Sequence, residues 1–118
     1  MSKRKDIDLI QDINESIERI ISYTRNIEYN NFVQDYKTQD AVIRNIEIMG
    51  EAVKSLSEKI RIDNTDIPWK SIAGARNRLI HDYFGVNIDI VWNIAKEEIP
   101  SLLLKVKIIL QNMKEEKA

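Results

Sequence analysis

The sequence predicts an all-α protein, an up-and-down bundle of four to five helices forming a single domain over residues 1–118. Three observations predict it. Apolar residues, many of them isoleucine, recur at three- and four-residue steps and do not alternate, which is the period of a helix face. Only 3 Gly and 2 Pro occur, so long loops and many tight turns are not expected. A chain of 118 residues buries roughly two-thirds of its unfolded surface, enough for one unaided core.

The first helix is expected from about Asp6 to Asn26. Ile7, Ile10, Ile13, Ile17, Ile20, Ile21 and Thr24 share a face, while Glu15, Glu18, Arg19 and Arg25 mostly fall elsewhere. Residues 27–37 read as a polar connector dotted with aromatics. Asn30-Asn31 suits a turn, a short helical turn can form around Phe32, and Tyr29, Phe32 and Tyr36 are expected to cap the end of the core.

The second long helix is expected to begin at Thr38 as its N-cap, with Asp40 in the first turn. Val42, Ile46, Met49, Val53, Leu56 and Ile60 form its seam. Gly50 lies in the middle. A mid-helix glycine costs about 1 kcal/mol relative to alanine, so its presence predicts close approach of another backbone or a bulky neighbour. Arg44, Glu47 and Glu51 flank the seam and read as a solvated ion-pair face.

Asp63-Asn64-Thr65-Asp66 is turn chemistry, and Pro68 suits the first turn of the next helix. One continuous third helix is expected from Pro68 or Trp69 to Tyr83. Trp69, Ile72, Ala73, Leu79 and Ile80 face the core, and Ala73-Gly74-Ala75 is a small-residue patch that another helix can approach closely. Gly85 is expected as a left-handed cap. Asn87 then caps a fourth helix carrying Ile88, Val91, Trp92 and Ala95. Pro100 either kinks that helix or starts a fifth, along which Ile99, Leu102, Leu103, Val106, Ile109, Leu110 and Met113 continue the apolar pattern.

Cysteine is absent, which removes disulfides, thiol nucleophiles and cysteine-held metals and fits a cytoplasmic location. The basic start, Met1 to Lys5, is not followed by an apolar leader, and no apolar run approaches the ~20 residues of a membrane helix. No membrane partner is therefore expected. A net charge of -1 argues against coating nucleic acid by bulk charge, yet leaves room for a local pocket that takes one phosphate.

The chemistry-bearing residues concentrate in Arg76-Asn77-Arg78-Leu79-Ile80-His81-Asp82-Tyr83, which holds the single histidine of the chain. Metal chemistry is disfavoured, because one His and no Cys leave only carboxylates as further ligands; no metal and no cofactor are expected. There is no nucleophile elbow and no Gly-rich phosphate loop. Phosphodiester cleavage fits better. A base must take the 2′-hydroxyl proton of RNA and an acid must protonate the leaving 5′-oxygen, and histidine does either near neutral pH. Charge on the phosphorane needs a fixed cation, and arginine offers a fork that matches phosphate oxygens. Asn77 adds a neutral donor or acceptor.

On an ideal helix five residues set Arg76 and His81 about 140° apart, so either the helix loosens towards Gly85 or Arg76 reaches round. Asn77 and His81, and likewise Arg76 and Tyr83, would share faces. One histidine per chain makes a twofold dimer attractive, since it brings two into one cleft. On composition alone, His81 reads more readily as a helix-end imidazole bonded to a carbonyl or to Asp82, and Arg78 and Asp82 read as a surface ion pair.

The octapeptide resembles the signature of the HEPN superfamily. In its fuller form, Arg76-x4-His81-x-Tyr83, it is similar to the HepT toxins of HEPN/MNT toxin–antitoxin pairs. A chance match arises in roughly one chain of this length in several hundred. Thr38 to Asn45, Gly50-Glu51-Ala52, Ile67-Pro68-Trp69, Val91-Trp92 and Glu98-Ile99-Pro100 agree, so the resemblance runs from about Asp6 to Met113. It implies a HEPN-type bundle that forms a homodimer with the motif at the interface, and metal-independent RNA cleavage. It places Arg76 and His81 at the catalytic positions and Asn77 at the polar position after the arginine. It implies a toxin of a type II/VII-like pair, with Tyr83 as the residue that a partner MNT-type nucleotidyltransferase modifies with AMP. Adding a negative phosphate there repels RNA and fills the cleft. The positive field would come locally from Arg44, Lys70, Arg76 and Arg78. The alternative is a non-catalytic subunit that binds nucleotide or RNA for a nucleotidyltransferase complex.

Overall fold

The computed structural model describes residues 5–80 and 85–117. Among these residues the chain forms eight α-helices and one π-helical turn, with no strand.

Helix α1 (Asp6–Thr24) opens with Asp6 and Asp8 at the positive end of its dipole. Its isoleucine stripe is the core face: Ile10, Ile13, Ile17 and Ile20 are fully buried. The Thr24 hydroxyl donates back to the Ile20 carbonyl oxygen at 2.8 Å. Asn26, at φ 62°, then turns the chain, so the turn lies four residues before Asn30-Asn31, which sits inside α2 (Tyr29–Gln34). The helical turn expected around Phe32 is present. Phe32 is completely buried, with its ring centroid 5.0 Å from that of Trp92. Of the two tyrosines, Tyr29 sets its ring edge-on against the same Trp92, centroids 5.9 Å apart, while Tyr36 does not join the core. Tyr36 is 74% exposed, and Tyr29 is an exposed rim residue whose hydroxyl donates to Asp89.

Helix α3 (Tyr36–Ser55) differs from expectation at both ends. Its N-cap is Asp35, whose carboxylate accepts the Thr38 N–H at 3.0 Å and the Thr38 hydroxyl at 2.6 Å. A carboxylate that takes both donors outcompetes Thr38 as cap, and Thr38 becomes part of the first turn. Buried Gln39 donates to the Phe32 and Val33 carbonyl oxygens at 2.8 and 3.0 Å, which satisfies carbonyls at the end of α2. At the other end α3 stops at Ser55. Leu56 is extended, and Ser57 caps the separate helix α4 (Glu58–Asp63). Asp6 accepts the Ser57 N–H at 3.0 Å and its hydroxyl at 2.6 Å, so a residue 51 positions away holds the break.

The single third helix is two short ones, α5 (Trp69–Ala73) and α6 (Ala75–Leu79), separated at Gly74 with φ -93° and ψ 7°. Helix α6 ends at Leu79, because Ile80 is extended and its backbone bridges Val86. The Asn87 N–H closes the same junction by donating to the Leu79 carbonyl oxygen at 2.7 Å. Gly85 is left-handed as expected, at φ 84°, and leads into this bridge, six residues after α6 ends at Leu79.

Asn87 caps α7 (Ile88–Asn93), its side chain accepting the Ile90 N–H at 3.2 Å. A π-helical turn, Ile94–Glu98, follows, and α8 (Ile99–Lys117) continues from it without a loop. The Ile99 N–H reaches back five residues to the Ile94 carbonyl oxygen. This widened turn is where Pro100, which has no N–H to offer, is accommodated in the first turn of α8.

Helix α1 lies between α3 and α8. The Asp6–Ser57 bonds set the start of α1 beside the end of α3. Lys96 donates to the Thr24 carbonyl oxygen at 3.0 Å and Lys107 pairs with Glu18 at 2.8 Å, so α8 runs antiparallel to α1. This is the up-and-down arrangement, and its buried apolar side chains form one cluster. No helix among the described residues is long and apolar enough to cross a membrane.

Candidate functional site

The sequence placed the chemistry in one octapeptide, and its first five residues form α6 and the exit from it. Ala75 and Leu79, four residues apart, are buried and pin the helix to the core. Arg76, Asn77 and Arg78 lie between them and are exposed. Ile80 then leaves helical geometry, and its pairing with Val86 fixes the backbone immediately before His81. His81, Asp82 and Tyr83 lie outside the described residues.

This changes the geometric problem posed by the sequence. The 140° separation of Arg76 and His81 presupposed a helix running through both. The helix ends two residues before His81, so helical angle does not govern the pair. The shared faces expected for Asn77 with His81 and for Arg76 with Tyr83 involve residues outside the described ones.

The two arginines of α6 have different environments. Arg78 is committed. Its guanidinium donates to both Glu98 carboxylate oxygens, at 3.0 and 2.7 Å, and to the Ser71 hydroxyl at 2.9 Å. Among the described residues its carboxylate partner comes from the π-helical turn; Asp82, the partner expected from sequence, lies outside them. The hydrogen bonds from Arg78 hold the Glu98 carboxyl below its ordinary range, and Glu98 in turn holds the guanidinium above its own. Arg78 is therefore not free to supply the local positive field. Arg76 is different: its side chain is 69% exposed, and among the described residues its closest ionic approach is from Nε to Oε2 of Glu47 at 3.7 Å. That is an ionic contact too long for a direct hydrogen bond. No acceptor among the described residues takes its terminal nitrogens.

Glu98, Ser71 and Glu47 were not picked out from sequence as parts of the site. Glu98 reaches Arg78 only because a π-turn sets its register, and periodicity carries no sign of that. Glu47 did leave a signal. It stands three residues before Gly50, and Arg76 stands three after Ala73, and the close approach expected at Gly50 is the approach to this segment. A Cβ on Gly50 would stand 3.1 Å from the Ile72 carbonyl oxygen and 3.5 Å from that of Ala73.

The Arg78–Glu98 pair gives a pH-dependent prediction. A carboxyl with a depressed folded pKa stabilises the fold above its unfolded pKa, near 4.3, and that contribution is lost as pH falls through the folded value. Both side chains are more than a third exposed, so solvent screening limits the pair to about 1 kcal/mol or less. Glu98→Gln is expected to lose up to that amount in urea unfolding at neutral pH, and to match the unaltered chain once both are measured well below the folded pKa.

The chain is thus an all-helical protein that displays an exposed Arg-Asn pair on a short helix, and comparison with known proteins specifies its family. The family model for HepT-like ribonucleases ("Ribonuclease HepT-like") matches residues 13–109. The chain is 46% identical over 100 residues to a protein of Thermococcus cleftensis named as a probable ribonuclease HepT, covering 85% of this chain and 91% of that one. It is 43% identical over 105 residues to a candidate RNase of Caldanaerobacter subterraneus, covering 89% and 94%. A candidate RNase of Methanocaldococcus jannaschii is 38% identical over 107 residues, covering 91% and 88%. No solved structure matches the chain. The chain belongs to the HepT-like ribonuclease family of the HEPN type, and its all-α fold is consistent with that membership.

Proposed function

We propose that this chain is an endoribonuclease that cuts RNA without a metal ion, using Arg76 and His81, with Asn77 as a neutral polar partner. The observation that carries the reading is Arg76 itself: an arginine on a pinned helix, exposed, with no acceptor among the described residues on its terminal nitrogens, five residues before the histidine. Family membership supports the choice of RNA as substrate.

In this reading the 2′-hydroxyl loses its proton to an imidazole and its oxygen bonds to the adjacent phosphorus. The phosphorus–O5′ bond breaks, and O5′ takes a proton from an imidazolium. The products are a 2′,3′-cyclic phosphate and a 5′-hydroxyl. Arg76 neutralises the charge that develops on the phosphorane, where a preoriented cation in a closed cleft counts most. Two proton transfers and one histidine per chain favour a homodimer that brings two copies of His81 into one cleft.

The same reading makes the chain the toxin of a two-component pair, held inactive when a partner nucleotidyltransferase transfers AMP from ATP to the Tyr83 oxygen, releasing pyrophosphate and the phenolic proton. Tyr83 lies two residues from His81, so a phosphate attached there repels an RNA phosphate at the same cleft. Co-expression with such a partner is expected to raise the intact mass by one or more AMP units, and Tyr83→Phe to abolish the increase. AMP retained in Tyr83→Phe would move the modification elsewhere. Tight nucleotide binding by a chain that yields no RNA product would favour the non-catalytic subunit instead.

A further inference from the structure

Arg76 projects from a helix of only five residues and is largely exposed. A long side chain in that setting samples many rotamers, and a cation that wanders does little for a transition state. Among the described residues, the Glu47 carboxylate on another helix approaches it at 3.7 Å. We propose that Glu47 is a positioning residue for Arg76, engaging the guanidinium at its Nε edge so that the Nη1–Nη2 fork stays turned to the RNA phosphate. This role rests on the ribonuclease reading.

The placement is built into the packing of α3 on α5 and α6. Gly50 has no side chain, which lets α3 come within van der Waals reach of the last carbonyl groups of α5. Three residues back along α3 is Glu47, and three residues on from Ala73 is Arg76. The close approach at Gly50 therefore sets the two charges side by side. Their contact is made through Nε, at 3.7 Å from Oε2. A guanidinium offers one edge at Nε and another between its terminal nitrogens, and each can face a different oxyanion. A carboxylate at the first edge orients the second without occupying it. Exposed ion pairs hold little folding stability, so removing this one separates a loss of orientation from a loss of fold.

The test uses the full chain, a single-stranded RNA, and Glu47→Gln and Glu47→Ala. Turnover, KM, thermal midpoint and affinity for a 2′-deoxy oligonucleotide that cannot be cut are measured for each. The expected result is a fall in kcat of roughly tenfold, with KM within about twofold, the midpoint unchanged and the affinity for the uncut strand retained. Turnover equal to that of the unaltered chain overturns the proposal and leaves the ribonuclease reading standing. Faster turnover with tighter binding also overturns it, since Glu47 would then compete with RNA for Arg76. A fall in kcat matched by a fall in the midpoint assigns Glu47 to structure, again against the proposal. If the unaltered chain cuts no RNA, the ribonuclease reading and this role fall together.

Discussion

Replacing His81 with alanine is expected to slow RNA cleavage by about 10²–10⁴-fold, the usual contribution of a positioned acid or base. Arg76→Ala is expected to cost about 10²–10³-fold, the loss typical when one donor to a developing oxyanion is removed. The effects should not multiply fully in the double variant, because both act on one transition state. Stability should hardly respond to Arg76→Ala. Its side chain is exposed and packs into no core, so the change in unfolding free energy should stay within about 0.5 kcal/mol. Single-turnover cleavage of a labelled RNA, beside urea unfolding of the same preparations, reads both quantities. Arg76→Ala that cuts at the full rate would remove the arginine from the proposed chemistry.

The largest effect on stability is expected at Phe32. Its ring is completely buried and lies against Trp92, and the backbone of its short helix is tied down by Gln39. Phe32→Ala should destabilise the chain by about 3–5 kcal/mol, combining lost burial with the cavity left behind. Trp92 belongs to α7, which follows directly on the Ile80–Val86 bridge. The same substitution should therefore loosen the junction beside His81 and lower activity at temperatures where the chain is still folded. Tyr36→Ala, four residues along, is the control. Its ring is exposed, and its loss should cost no more than about 0.5 kcal/mol. Equal unfolding midpoints for the two variants would contradict this account of the core.

The difference between Phe32 and Tyr36 shows where sequence reasoning held and where it stopped. The isoleucine stripe of α1 was legible because seven residues repeat one period and nothing interrupts them. The connector was not, because three aromatics in the eight residues from Tyr29 to Tyr36 give no period to distinguish the buried one. Helix boundaries failed where distant groups decide them. Asp6 holds the end of α3 through Ser57, and Val86 ends α6 through Ile80. Apolar spacing continues through the first break, since Leu56 is buried and Ile60 half-buried although neither lies in α3; at the second, Ile80, expected to face the core, is 46% exposed.

At the candidate site, the exposure of Arg76 and Asn77 followed from their place between buried Ala75 and Leu79. The partners of the arginines did not. Glu98 needed the π-turn, and Glu47 needed the registration of α3 on α5. Gly50 was nonetheless a usable clue. A residue that costs helix stability and is kept in a seam marks where two backbones meet, and here that meeting point sets Glu47 beside Arg76.

The central claim is that Arg76 and His81 cut RNA by attack of the neighbouring 2′-hydroxyl. The most direct measurement is the chemistry of the product ends, made with purified chain and a defined RNA in the presence of a strong chelator. The account predicts cleavage that survives the chelator, fragments ending in a 2′,3′-cyclic phosphate and beginning with a 5′-hydroxyl, and no such fragments from His81→Ala. Cleavage that stops on chelation, fragments carrying a 5′-phosphate, or His81→Ala cutting as fast as the unaltered chain would each contradict it.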